Sequence, residues 1–394
     1  MTRITFPIFL SFPLLFSVFL SSTLVSSVPL EDRDASYTID LNPYPNKPKL
    51  TFNSQGQFKI TVFSDQHYGE NAWDVWGPEQ DANSTELTET VLPSEKPDYV
   101  VINGDLITGE NTFKENSTDY VNILLAPIIQ AQIPFSTTQG NHDNQVNITH
   151  LAEIKRELSI APLSYTRVAP NGVGGDPEMG PGTYWVPVYN TTNDTEPALV
   201  LWFFDSRGGF GPGPSADSNP NPDWVDATVA TWINKTKEAM DETWGEAGTV
   251  GRGSLAFVHI PPHAIQAVQE SLNTTDGLNA DTLGSGSTEA TTDDANIGKD
   301  DPFYTAVTAI PNLHALISGH DHGNEWCARE PTRNTVFCFD KHAGYGGYSS
   351  DGWGYGIRNV LFTSGSVHEP PQSWIRMQNG TIIAPVTLGS GFSG

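Results

Sequence analysis

Basic residues are scarce: 20 Lys and Arg face 46 Asp and Glu, a formal net charge of −26. Such a surface repels polyanions, which excludes nucleic acid and stable association with anionic membrane. Cysteine is scarcer still. The only two, Cys327 and Cys338, lie close together, so at most one internal bridge can form. In an oxidising compartment an even pair at this spacing reads as a disulfide closing a hairpin; the alternative is two buried free thiols. Internal repeats, low-complexity stretches and linkers are missing, which excludes a repeat array and leaves no ground for a second domain. Loops are abundant all the same, given 36 Gly and 29 Pro.

There is one long hydrophobic run, at the N-terminus. Arg3 precedes an uncharged apolar stretch through Leu30, and Val25-Ser26-Ser27 offers a small-residue cleavage site. Residues 1–27 are expected to be a secretory signal. The run is long enough to span a bilayer, so an uncleaved anchor is the alternative. Its final third is rich in serine and no positive flank follows, which favours the signal. Residues 28–50, with Pro43, Pro45 and Pro48, read as an extended segment, and 51–394 as one domain. Eight glycosylation sequons, at Asn83, Asn116, Asn147, Asn190, Asn193, Asn234, Asn273 and Asn379, agree with a secreted, extracellular or cell-wall protein, or a vacuolar one.

Strand-like and helix-like segments alternate through the first two thirds of the domain. Phe58–Phe63 alternates cleanly, and short apolar runs at 98–102, 133–138, 199–204, 255–258 and 313–317 read as further strands. Helices are expected from the Asn83/Ser84 cap to Leu92, from Thr118 to Ala131 and from Asp223 to Met240. Residues 273–301 read as a long polar loop. The pattern predicts a parallel or mixed α/β sheet. Runs around Val336, Val360, Trp374 and Ile382 would form an antiparallel second sheet packed on it.

Five of these strands run into polar clusters: Asp65-Gln66-His67, Gly104-Asp105, Gly140-Asn141-His142-Asp143, His259 and Gly319-His320-Asp321-His322. Ligands collect beyond the carboxyl ends of strands in such sheets. Asp65, His67, Asp105, Asn141, His259, His320 and His322 supply oxygen and imidazole donors for two divalent or trivalent ions, with iron, zinc and manganese all compatible. Two such ions can clamp a phosphoryl group and generate a hydroxide nucleophile. His142 adjoins Asn141 too closely to share its metal. It reads as the acid that protonates the leaving oxygen, oriented by Asp143. His263 and His342 lie near the motifs and are candidates for a substrate pocket; His314, inside a strand pattern, reads as a core residue.

The ordered set resembles the calcineurin-like metallophosphoesterase superfamily over roughly residues 55–385. Asp98–Asp105, Gly319–Asn324 and His342–Tyr348 are similar to its secreted, purple-acid-phosphatase-like branch of fungi and plants. The resemblance implies a double β-sheet sandwich flanked by helices, an α/β (α+β) fold. It also implies one metal held by Asp65, His67, Asp105 and His322, and a second by Asp105, Asn141, His259 and His320, with His142 catalytic. The purple enzymes carry a tyrosine three residues after the bridging aspartate. Thr108 stands there, so a colourless protein is expected. A secreted hydrolase of phosphate esters follows, most naturally a phosphomonoesterase on a phosphorylated small molecule or an exposed phosphoester. The ligand set does not fix the ester type, so a phosphodiesterase remains the alternative within the fold. A non-catalytic metal glycoprotein is the other alternative, against which intact His142 and Asp143 weigh.

Overall fold

The computed structural model describes residues 37–211, 220–248, 251–273, 275–283 and 298–389. The expected signal, 1–27, and the start of the extended segment lie outside them. Residues 37–49 run without regular structure into the first strand, and the Tyr44 hydroxyl donates to the Tyr165 carbonyl at 2.5 Å.

The first half of the chain forms β1 (Leu50–Thr51), β2 (Gln57–Phe63), α1 (Trp76–Glu95), β3 (Tyr99–Asn103), α2 (Ser117–Gln130), β4 (Phe135–Thr138), α3 (His150–Ile160), β5 (Tyr184–Tyr189) and β6 (Leu199–Phe204). There follow α4 (Ala227–Trp244), β7 (Gly253–Val258), α5 (Ala264–Ser271), α6 (Asp301–Thr308), β8 (Leu313–Ser318), β9 (Cys327–Glu330), β10 (Thr335–Phe339), β11 (Gly356–Thr363), β12 (Gln372–Met377) and β13 (Ile382–Thr387). They build a seven-stranded sheet, β1-β5-β6-β7-β8-β10-β9, and a six-stranded sheet, β13-β12-β11-β2-β3-β4.

The sheets face each other because their strands alternate. Ile60, Val62, Tyr99 and Val101 of one sheet share a core with Leu199, Leu201, Phe203 and Phe257 of the other. The intervening residues point outward. Val200, Trp202 and Phe204 meet α4 and α6, while Val100 and Ile102 meet α1 and α2. Each fully buried Val, Leu or Phe contributes roughly 1.5–3 kcal/mol. The result is the expected helix-flanked double sheet. Among the described residues no helix is long and apolar enough to cross a membrane.

The division of strands differs from the sequence expectation. The late runs do not make a sheet of their own: β10 pairs in parallel with β8, whereas β11 pairs antiparallel with β2 and carries β12 and β13. All are equally apolar runs, and apolarity alone does not select a pairing edge. Helix α1 begins a full two turns before the Ser84 cap and contains Pro93. Proline is tolerated there because only one hydrogen bond near the helix end is lost. Helix α3 was not anticipated; the Thr149 side chain caps it by accepting the Ala152 N–H. Cys327 and Cys338 face each other directly on the β9–β10 hairpin and form the disulfide.

Candidate metal centre

Strands β2, β3 and β4 run parallel in one sheet, as do β7 and β8 in the other. Their carboxyl ends therefore bring all five sequence clusters to one edge of the sandwich. The turns there are forced. Asp65, His67, Asp105 and His320 all have positive φ, between 47° and 72°, a conformation costing roughly 1–2 kcal/mol for a residue with a Cβ. Cross-loop hydrogen bonds hold it: the Asp65 N–H donates to Gly104 O at 3.1 Å, and the His67 N–H to Asp105 O at 3.0 Å. Gly104 is required on two counts. Its φ is +85°, and a Cβ there would lie 2.3 Å from the His259 ring. A Cβ on Gly140 would lie 2.3 Å from Asp105 Oδ1.

Donor atoms of Asp65, His67 and His322 lie within 4.8 Å of one another, as do those of Asp105, His259 and His320, and those of His67, Asp105 and His142. Asp105 belongs to two of these groups, the placement a bridging ligand needs. The ring nitrogens are aimed from behind. His67 Nδ1 lies 3.1 Å from Thr108 Oγ1, and its Nε2 lies 3.1 Å from His322 Nε2. His322 Nδ1 donates to Tyr348 O at 2.6 Å, and His259 Nδ1 to Asn103 O at 2.8 Å. Such partners fix the tautomer and leave the opposite nitrogen for a metal.

The charge balance calls for cations. Burial pushes the Asp65 carboxyl up to about 7, with Asp105 adding to it and His259 opposing. Burial works against charge on His259, but Asp105 and Asp65 carry it up to about 10. Burial takes His67 down to about 3. Two polar atoms at the centre have no hydrogen-bond partner although fully buried: Asn141 Oδ1 and His259 Nε2, the latter 3.0 Å from Asp105 Oδ2. A buried amide oxygen without a partner, beside carboxylates and ring nitrogens that converge on it, fits a pair of metal ions.

His142 stands at the rim with a third of its side chain exposed. Its N–H donates to Asp105 Oδ1 at 2.8 Å, and its ring lies edge-on to His67. The expected partnership with Asp143 is not present. Asp143 is spent on the backbone, accepting the Ile107 N–H at 3.0 Å and the Gly140 N–H at 2.8 Å. Glu110 takes its place, with Oε1 2.6 Å from His142 Nδ1. Burial opposes charge on His142, but Asp105 and then Glu110 raise it to about 9. Glu110 has no sequence signal beyond following the Asp105 motif by five residues.

His342 is fully buried: its ring stacks behind that of His322 and Nδ1 donates to His322 O at 2.6 Å. It backs the His322 ring and, being buried, presents no surface to a substrate among the described residues. His263 precedes α5, half-buried, and its N–H donates to Asp300 Oδ2 at 2.8 Å; it joins none of the three donor groups. His314 is a core residue as expected, bonded to Val367 O. Six sequon asparagines, at 83, 190, 193, 234, 273 and 379, are exposed. Asn116 and Asn147 are half-buried, and Asn147 Nδ2 donates to the Gly109 and Thr112 carbonyls.

The chain is similar to known proteins in sequence and in fold. The chain is 26% identical over 343 residues to a probable inactive purple acid phosphatase 29 of Arabidopsis thaliana, covering 82% of this chain and 81% of that one. It is 28% identical over 296 residues to Phosphatase DCR2 of Saccharomyces cerevisiae, covering 72% of this chain and 47% of that protein. The crystal structure of a dimetal phosphatase from Danio rerio has the same fold, at TM-score 0.50 and 11% identity, covering 85% of this chain and 99% of that one. The calcineurin-like phosphoesterase model matches residues 58–324, the span that holds every donor above. By its strand-end donors and by this match, the chain belongs to the calcineurin-like phosphoesterase family.

Proposed function

We propose that this protein is a secreted dinuclear-metal phosphatase that hydrolyses phosphate monoesters. Asp65, His67, Asp105 and His322 would hold one ion, and Asp105, Asn141, His259 and His320 the other. Bound there, the ions supply Lewis-acid neutralisation of phosphoryl charge and activation of water for in-line attack. The observation that carries the reading is the rim pair His142–Glu110. A metal site kept for structure needs no partly exposed imidazole, held by a carboxylate of its own, beside its bridging carboxylate. Glu110 holds the Nδ1–H, which leaves Nε2–H to be given to the departing oxygen.

Preference for small monoesters over nucleic acid rests on the acidic surface. Among the described residues, all five exposed large aromatics follow strands that end at this edge: Trp73 and, at the start of α1, Trp76 after β2, Phe113 after β3, Phe210 after β6 and Tyr348 after β10. Such a rim supports an ester whose organic part has apolar or ring surface. Secretion rests on the N-terminal run, the exposed sequons and the disulfide. All seven proposed ligands and His142 are present in the sequence, which supports a catalytic rather than a structural site.

The test is hydrolysis by protein purified from the medium, with aryl phosphate monoesters and bis-aryl diesters side by side. Expected are about two transition-metal ions per chain, monoester turnover abolished by chelation, and greater metal loss in Asp105→Asn than in any other single-ligand variant. Turnover of diesters alone would replace monoesterase by diesterase. Turnover of neither, in protein carrying both ions, would overturn the catalytic reading.

A further inference from the structure

Strand β6 also ends in a carboxylate at the metal edge, Asp205, yet Asp205 belongs to none of the donor groups. It pairs with His150, the first residue of α3. His150 Nδ1 lies 3.0 Å from both Asp205 oxygens, and its Nε2 lies 2.8 Å from the Gly140 carbonyl. Both side chains are entirely buried. A carboxylate and a carbonyl can only accept, so both ring nitrogens donate and His150 is an imidazolium. Burial works against that charge and Asp205 outweighs it.

We infer that the His150–Asp205 pair is the positioning unit of the Asn141 side of the metal centre. The inference rests on the dimetal reading above. Asp205 comes from the seven-stranded sheet, whereas Gly140 follows β4 of the six-stranded one, so the pair ties the two sheets together just behind the Asn141 turn. It acts through two arms. One is His150, which grips the carbonyl of the residue preceding Asn141. The other is the backbone beyond β6: the Arg207 N–H donates to Asp205 Oδ1 at 2.8 Å, and Gly208 then packs so closely that a Cβ on it would lie 2.7 Å from Asn141 Cβ. Between these arms Asn141 Oδ1 is held, buried and without a hydrogen-bond partner.

A purely structural role does not account for the choice of residues. A buried ion pair can usually be exchanged for apolar residues with no loss of stability, and often with a gain. What an apolar pair cannot do is donate to a buried carbonyl and fix its direction. Outer partners of metal ligands typically matter by 10–100-fold in metal affinity.

The experiment is Mn²⁺ titration of the metal-stripped full-length protein, read by electron paramagnetic resonance. This separates an exchange-coupled ion pair from an isolated ion. His150→Gln and Asp205→Asn are compared with Glu157→Gln, a control on the same helix. Glu157 is buried and accepts from Thr137 of β4 at 2.7 Å and from Ser164, so its own bonds do not go to the Gly140 carbonyl. The expected result is second-ion affinity weakened 10–100-fold in both pair variants, with the first ion unaffected. The control should melt earlier yet bind both ions as the wild type does. Asp205→Asn can still accept a backbone N–H, so it remains informative if His150→Gln fails to fold. Wild-type affinity for the second ion in a folded pair variant would overturn the inference, as would equal weakening in the control. A wild-type protein that binds only one ion would instead overturn the dimetal reading.

Discussion

Glu110 Oε1 lies 2.6 Å from His142 Nδ1, and the two side chains are exposed to the same degree, about a third each. A carboxylate at that distance holds the ring's proton on Nδ1, directs Nε2 toward the edge where the donor groups meet, and favours the imidazolium. Asp143, the next residue along the turn, accepts the Gly140 and Ile107 N–H groups with its two oxygens and does not serve the ring that precedes it.

The pair makes a kinetic prediction. His142→Ala should keep both ions and lose on the order of 10²–10⁴ in kcat, the usual range for one general acid. Glu110→Gln should lose less, because the amide oxygen still accepts from Nδ1. In both variants the loss should be large for alkyl phosphates and small for aryl phosphates with good leaving groups. Equal losses across leaving groups would show that His142 does not protonate the departing oxygen.

Thr108 occupies the position of the purple enzymes' tyrosine, and its hydroxyl contacts His67 Nδ1 at 3.1 Å. Tyr348 stacks on His322, but its hydroxyl donates to Asp281 Oδ2 at 2.8 Å and accepts the His322 N–H. No phenol here is placed as a ligand by these contacts. Iron-loaded protein should therefore show no phenolate charge-transfer band in the visible spectrum. A strong purple colour would mean that a tyrosine leaves its observed partners to reach the metal.

The donors were legible because each follows an apolar run that ends abruptly in a polar cluster, and strand ends are where parallel sheets collect ligands. What escaped depended on pairing or on side-chain direction. Val336 and Val360 look alike as sequence, yet one joins β8 and the other joins β2. His342 stands near the motifs in sequence, but its ring lies behind His322. Asp143 adjoins His142 and still turns away, because two unsatisfied backbone N–H groups compete for it. Glu110 and the His150–Asp205 pair are brought in by the fold alone.

Asp300 gives a pH dependence of stability. It is 4% exposed, accepts the His263 N–H, and burial pushes its carboxyl from 3.8 up to about 6. Below about pH 4 it is protonated in both folded and unfolded chains. Between the two values only the unfolded chain releases the proton, so stability falls as pH rises, then levels off above about 6. Asp300→Asn mimics the neutral form. Its stability relative to wild type should rise from near zero at pH 4 to on the order of 2–3 kcal/mol at pH 7. Denaturant unfolding across that range checks it, and a pH-independent difference would refute it.

Cys338 stands opposite Cys327 on β9 and beside Ile317 on β8, three residues before His320. Both cysteines are buried in the core between the sheets. The bridge closes the edge hairpin β9–β10 on itself, and β10 in turn lies alongside β8, the strand that delivers His320 and His322. Closing so short a loop should contribute roughly 2–4 kcal/mol, chiefly by restricting the unfolded chain. The mature protein is expected to show no free thiol when denatured without reductant. Replacing both cysteines by serine should lower the melting temperature and weaken retention of the metal bound by the two histidines. Ester preference should stay the same, because neither sulfur reaches the site edge. Two titratable thiols in the native protein would refute the bridge. They would also remove one of the three supports for secretion, leaving the N-terminal run and the sequons to carry it.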